Sequence, residues 1–167
     1  MCSEVWGAYA KNDFKKWDQT PIEKTHLKFC TLYLGVNKKA SNFASRGELG
    51  KFPLLILMLK RTLNYINHLN QLPDKAIAKQ AFLLSKALHT QGKESFYSNI
   101  LKTINSYYDT NDKPITDLET KIENSGSIEI IKNIKDTYIS FWKQEISNQP
   151  NYHSILLLKK TINLKTT

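Results

Sequence analysis

An all-α fold, an irregular bundle of about five or six helices, is the class this sequence predicts, and three observations predict it. Apolar residues recur at three- and four-residue spacing along several long stretches, and no strand signals interrupt them. Helix start and stop residues bracket those stretches: Thr20-Pro21 and Ser95 at starts, Gly35 and Gly92 at ends. The 167 residues are 41% hydrophobic and 23% charged, an ordinary globular composition at a length of one domain with room for an appendage. Collagen, a coiled-coil rod and wholesale disorder are thereby excluded.

The first helix opens on Thr20-Pro21-Ile22-Glu23, a capping box with Thr20 as N-cap, Pro21 at the first helical position and Glu23 reaching back to the cap. Behind it Leu27, Cys30, Tyr33 and Leu34 recur at helical spacing until Gly35. From Val36 to Gly50 the chain reads as irregular, a short Asn42–Arg46 turn broken by Gly47 and Gly50. A long helix follows from near Pro53 to about Leu72, with Leu55, Leu59, Leu63, Ile66 and Leu69 on its apolar side. Its first two turns are apolar all round, which marks it as the central helix. Pro73-Asp74 restarts the chain, with Asp74 as N-cap of a helix that runs to about Gln91. Ser95 caps the next, whose Ile100, Leu101 and Ile104 face inward. Asn, Asp, Thr and Ser dominate from Asp109 to Ser127, with Pro114 and Gly126, and read as a linker. Ile128 to Ser147 is amphipathic through Ile131, Ile134, Tyr138, Phe141 and Trp142; beyond it an apolar patch, Ile155 to Leu158, leads into a polar tail. The organisation predicted is an entry segment (1–19), a basic helical domain (20–108), a linker (109–127), and a C-terminal amphipathic helix with an irregular tail (128–167).

Charge divides unevenly among these parts. Of the net +9, residues 1–74 hold +5, residues 75–110 hold +3 and residues 111–167 only +1. The helix after the linker is therefore a packing element, and the basic surface belongs to the first two-thirds. Arg46 and Arg61 are the sole arginines; the other basic residues are lysines, compact charges suited to a phosphate backbone rather than to reading bases. Cys2 and Cys30 suit neither a disulfide framework nor a four-ligand zinc site, and Cys30 reads as a small buried apolar residue in a reducing compartment. The longest apolar run, Phe52 to Leu59, stops at Lys60-Arg61, far short of the roughly twenty residues a membrane span needs. No secretory signal is visible, so an intracellular protein, cytoplasmic or nuclear and without a membrane partner, is expected.

Catalytic templates fail one after another. His26, His68, His89 and His153 form no H-x-x-x-H pair; there is no G-x-S-x-G elbow, Walker loop or G-x-G-x-x-G fingerprint, and no Asp-Asp pair for a two-metal site. The carboxylates stand mostly beside lysines, the pattern of a solvated helix face. No catalytic residue, metal or cofactor is expected.

Two segments suggest nucleic acid instead. Gly35-Val36-Asn37-Lys38-Lys39-Ala40-Ser41-Asn42, continuing to Arg46-Gly47-Glu48-Leu49-Gly50-Lys51, gathers Lys38, Lys39, Arg46 and Lys51 around one acid, with small residues between. Such a loop presents backbone N–H groups and cations to phosphates, although a plain helix–helix connector would look the same. Near the N-terminus Trp6, Tyr9, Phe14 and Trp17 interleave with Lys11, Lys15 and Lys16, the makings of a stacking platform. Core packing is the commoner use of such aromatics.

Ser3-Glu4-Val5-Trp6-Gly7 is similar to the segment that follows the last palm strands in reverse transcriptases of LINE-type (non-LTR) retrotransposons. Ile22-Glu23-Lys24, His26 to Cys30, Leu34 to Asn42 and Arg46-Gly47-Glu48-Leu49-Gly50-Lys51-Phe52-Pro53-Leu54 resemble the helical region just C-terminal to that polymerase core, as does Ser95-Phe96-Tyr97 (usually Ser-Trp-Tyr). The resemblance covers roughly residues 3 to 150. It implies a thumb-like region gripping the primer–template backbone, severed from a palm whose Asp-Asp strand lies upstream, so that no polymerase activity carries over. Residues 151–167 depart from the family pattern.

The expectation is thus a non-catalytic fragment that binds an RNA/DNA duplex or single-stranded RNA without sequence specificity. Lys38, Lys39, Arg46 and Lys51 are the expected contacts, Lys28, Lys60 and Arg61 add supporting charge, and the missing palm is a second partner. Two alternatives compete: a helical protein–protein interaction module, which expects exposed Ile131, Tyr138 and Trp142, and a translated remnant of a mobile element with no function.

Overall fold

The structure is a computed structural model and describes residues 13–36, 41–108 and 114–148, with only the backbone for 123–125. Among these residues the fold is all-α and contains no strand. Seven helices follow in order: α1 (Phe14–Asp18), α2 (Pro21–Tyr33), α3 (Asn42–Glu48), α4 (Leu54–Gln71), α5 (Ile77–Thr90), α6 (Phe96–Tyr107) and α7 (Leu118–Ser147). Helix α4 is central. Leu55, Leu59, Leu63, Ile66 and Leu69, the stripe expected from the sequence, are all buried, and the largest helix–helix interface joins α4 to α7. Around this pair α5 and α6 pack on each other, and α2, α3 and α1 close the other end.

The helix ends show how local chemistry sets the element boundaries. Thr20 caps α2, its Oγ1 accepting from Glu23 N at 3.4 Å, with Pro21 first in the helix as expected. The second half of the expected box is not made: Glu23 is fully buried, and its carboxylate turns toward the interior rather than back to the cap. Tyr33 also departs from expectation, standing 72% exposed. The inward row of α2 is Glu23, Leu27, Cys30 and half-buried Leu34, and Tyr33 falls beside that row, above Phe29. Gly47 is not a breaker but a residue of α3, which ends at Glu48 with Leu49 as its cap; the turn beyond is made at Gly50, whose φ of 59° a side chain would oppose.

Asp74 is not the cap of α5. Residues 73–76 form a turn (Ala76 N–H to Pro73 O, 2.9 Å), the helix starts at Ile77, and Asp74 instead pairs with Lys79 at 2.9 Å. Lys79 also donates to Leu72 O at 2.9 Å and Asn70 O at 3.3 Å, satisfying carbonyls left over at the end of α4. Ser95 caps α6 as expected, in a reciprocal box with Ser98.

The segment expected to be a linker is, where described, part of the core. Ile115, Leu118 and Ile122 are buried, and α7 begins at Leu118, capped by Asp117. Polar composition conceals this, because only every third or fourth residue there faces inward. Asn105 of α6 holds the approach, accepting from Ile115 N at 3.0 Å and donating to Ile115 O at 2.9 Å. Tyr97 holds the cap: its hydroxyl donates to Asp117 Oδ1 (3.2 Å) and accepts from Leu118 N (3.1 Å), and burial pushes its own ionisation up to about 12. Gly126 then breaks the helical path with φ 74° and ψ 153°, so α7 is two helices end to end. One contiguous core runs from Phe14 to Ile146, and the part C-terminal to the expected linker belongs to it.

Replacing Asn105 with alanine leaves the Ile115 amide and carbonyl without that partner. A loss of about 2 kcal/mol is expected from urea unfolding, with faster amide exchange at Ile115.

Candidate nucleic-acid interface

The cations expected to meet phosphate fall into three groups. Lys38 and Lys39 lie outside the described residues. Lys28 on α2, Lys51 between α3 and α4, and Lys60 and Arg61 on α4 are exposed. Arg46 is the correction: it is completely buried and reaches no solvent ligand.

Its burial follows from the company α3 keeps. Arg46 sits on the inward side of a short helix pinned between α2 and α7. Its two terminal nitrogens clasp the Asp18 carboxylate side by side, Nη1 to Oδ2 at 3.2 Å and Nη2 to Oδ1. Nη2 also donates to Glu23 Oε1 at 3.1 Å, and Nη1 to the Tyr138 hydroxyl at 3.3 Å. Nε is buried and has no acceptor among the described residues. Two carboxylates thus surround one guanidinium, and two neutral donors and a histidine meet the remaining carboxylate oxygen valences. The Trp17 indole N–H donates to Glu23 Oε2 at 2.6 Å, the Leu54 amide donates to the same oxygen at 2.9 Å, and His26 Nδ1 lies 2.8 Å from Oε1. Through the Leu54 amide, Glu23 serves as the anionic cap of α4, whose own Pro53 offers no side-chain bond.

Electrostatics in this cluster follow burial. Burial raises the Asp18 carboxyl above its ordinary range, with Arg46 offsetting part of the rise. Burial works against the Arg46 charge as well, but its hydrogen bond to Asp18 and the surrounding acidic groups hold it above the usual guanidinium value. Burial likewise raises the Tyr138 hydroxyl and the Cys30 thiol; Cys30 is 1% exposed, the small buried residue expected. Sealed and mutually bonded, Asp18, Glu23, His26, Arg46 and Tyr138 form a structural bolt rather than a reactive site. The sequence carries one signal of it: arginine is rare in this chain, and a planar fork is what a buried carboxylate demands. The general expectation of solvated carboxylates fails at Asp18 and Glu23.

Ion pairing among the lysines is uneven: exposed Lys24, Lys75, Lys93, Lys132 and Lys143 have no carboxylate partner among the described residues, while others do. Lys15 pairs with Glu145 at 2.7 Å, Lys79 with Asp74, Lys86 with Glu119, and Lys102 with Glu94 at 3.4 Å. Lys28, Lys51 and Lys60 pair with no carboxylate among the described residues. They project from three elements that meet, since α2 packs on both α3 and α4, and Lys51 comes close enough to α2 for its charge to act on the Cys30 thiol. Between Gln19 and Gly47 the single acid is Glu23, and it is inside. Half-buried Glu48, at the end of α3, is the next acid along the chain.

Other candidate sites offer less. Phe14 and Trp17 are buried in the core, Phe14 against Tyr107, Tyr138 and Phe141, so of the N-terminal aromatics the two described ones staple the entry segment down; Trp6 and Tyr9 lie outside the described residues. Ile131, Tyr138 and Trp142 are buried by the bundle itself, contrary to what the interaction-module reading expects. A cavity of about 210 Å³ among Tyr65, Leu69, Phe82, Ser85 and Phe96 is apolar, and the Ser85 hydroxyl already accepts from Tyr97 N. Among the described residues no cluster of His, Cys, Asp and Glu is arranged to hold a metal ion, and no helix is long and apolar enough to cross a membrane. No protein-family model, curated protein or solved structure matches the chain.

Proposed function

We propose that this chain is the thumb-like C-terminal helical region of a LINE-type reverse transcriptase, and that it binds the sugar–phosphate backbone of an RNA/DNA primer–template without sequence specificity. One observation carries the reading: Lys28, Lys51 and Lys60 are exposed and pair with no carboxylate among the described residues, and the one acid of α2, Glu23, is buried. The motifs spanning Ile22 to Leu54 and the Ser95-Phe96-Tyr97 element support it from the sequence side. In this reading the chain supplies no catalytic step. It holds nucleic acid by counterion release, with lysine ammonium groups replacing condensed cations along the backbone. The parent's palm is the partner proposed for the exposed apolar side of α5, where Ile77, Leu83 and Leu84 stand in solvent.

The test is binding of an RNA/DNA hybrid at a series of salt concentrations. Affinity should fall with salt, and Lys28→Glu/Lys51→Glu/Lys60→Glu should remove about 2 to 3 from the slope of log K against log salt, at roughly 0.9 for each phosphate no longer neutralised. Arg46 is left intact because it is buried and its replacement would destabilise the fold. Binding that ignores salt, or that survives the triple reversal unchanged, would overturn the reading.

A further inference from the structure

Every exposed residue of α5 is uncharged, and Ile77 and Leu84 protrude most, at 84% and 62% exposure. The two lysines of the helix are half-buried and already neutralised, Lys79 by Asp74 and Lys86 by Glu119. Ile77 and Leu84 are seven residues apart, so they project from one stripe. Beside that stripe opens the apolar recess of about 210 Å³, lined on α5 by Ala78, Ala81 and Ser85 and walled by Leu69 of α4 and Phe96 of α6. Ala81 belongs to both features. It follows Ile77 by four residues and precedes Leu84 by three, and Ala78 and Ser85 lie three before it and four after it.

We infer that this face is a contact between two copies of the chain, α5 packed antiparallel on α5 about a two-fold axis at Ala81. About such an axis, a residue four before Ala81 faces the residue four after it on the other copy, and the residues three away are exchanged likewise. Ile77 therefore meets the partner's Ser85, and Leu84 meets the partner's Ala78. Both protruding side chains of each copy enter the recess of the other over small residues, while Ala81 at the axis lets the backbones approach. A surface that carries its own knobs and, in the register of one two-fold, the recess for them selects a second copy as the occupant. Charge points the same way: copies of a chain of net +9 repel each other, and on α5 they meet without opposing exposed lysines. A contact of one helix and the recess beside it is small, below about 1,200 Å² in total, which makes the dimer concentration-dependent rather than obligate. The inference stands apart from the nucleic-acid reading, and the palm proposed for this face would compete with the second copy for it.

Sedimentation velocity over about a hundredfold range of concentration tests the contact on wild type, Leu84→Glu and Phe29→Glu, the last on an exposed apolar residue of α2. Wild type should pass from the mass of one chain to that of two as concentration rises. The passage should be more complete at high salt, which screens repulsion between copies, whereas nucleic-acid binding weakens with salt. Leu84→Glu should raise the dissociation constant about tenfold or more with unchanged circular dichroism, and Phe29→Glu should leave it within about twofold. Cysteine linking on a Cys2→Ser background reads the register, since Cys30 is buried. Mild oxidation should link Ala81→Cys to its copy, because the two thiols flank the axis within disulfide reach. Ala87→Cys should stay unlinked, its two copies lying about 18 Å apart along the helices. Wild type that stays monomeric, a dimer that survives Leu84→Glu, or one lost in Phe29→Glu overturns the contact. Equal linking at positions 81 and 87 overturns the two-fold. Salt-dependent binding of an RNA/DNA hybrid beside any of these results leaves the backbone reading standing.

Discussion

Arg46→Ala should cost the fold about 3–5 kcal/mol in urea unfolding, because it leaves the Asp18 and Glu23 carboxylates facing one another without the guanidinium between them. Arg46→Lys should recover little. An ammonium is a point charge, and it cannot reach both oxygens of Asp18 while donating to Glu23 and Tyr138. Removing the charges together should be milder than removing one, so Asp18→Asn/Glu23→Gln/Arg46→Met should be more stable than Arg46→Ala. The pH profile separates an electrostatic loss from a packing loss. Burial raises the Asp18 carboxyl above 3.8, and Arg46 opposes that rise. Without Arg46 the folded state holds the proton more tightly still, whereas the unfolded chain keeps the ordinary value. The folded state then binds more protons than the unfolded one between 3.8 and the raised folded value, so stability increases as pH falls through that window. Arg46→Ala should therefore regain part of its loss on acidification from pH 7 toward pH 4, more than wild type gains. A loss that stays constant over that range would assign Arg46 a packing role instead.

The same residue shows where the sequence is informative and where it is silent. Periodicity alone places the core stripe of α4, the inward face of α6 and the buried face of α7, because a helix must cover its apolar side whatever its neighbours are. Caps made of one local side chain, Thr20 and Ser95, are readable for the same reason. What cannot be read is every bond between residues far apart in the chain. Arg46 meets Tyr138 across 92 positions, and Glu23 caps a helix 31 residues away. A lysine-rich loop with one arginine looks like a phosphate cradle until the tertiary partner of that arginine is known. The polar stretch before α7 misleads for a related cause: its buried residues, Ile115, Leu118 and Ile122, are few, and they are tied down by Asn105 and Tyr97 from another helix.

Gly47 offers a second large effect, and an argument about why α3 lies where it does. A Cβ built at Gly47 would stand 2.7 Å from Trp142 Cζ2, closer than side chains tolerate. The absence of that carbon lets the indole of α7 lie against the backbone of α3, where its Nε1–H reaches Phe43 O at 2.8 Å. Phe43 in turn meets Phe141 edge to face, and Arg46 is carried on the same short helix to Asp18. Trp142→Ala should destabilise the bundle by about 3–5 kcal/mol, losing both the buried ring and the hydrogen bond. Gly47→Ala gains about 1 kcal/mol of helix propensity, yet should still be destabilising, because overpacking of a filled site costs about 1–3 kcal/mol. The clash lies with the six-membered part of the indole, which phenylalanine lacks at that position. A double-mutant cycle isolates it: in the Trp142→Phe background Gly47→Ala should become neutral or stabilising, a coupling of at least about 1 kcal/mol. Equal costs of Gly47→Ala in both backgrounds would mean that α3 does not owe its approach to the missing side chain. A coupled cycle would identify Gly47 as the residue that lets α7 press α3 inward and so brings Arg46 to its buried carboxylates, away from any phosphate.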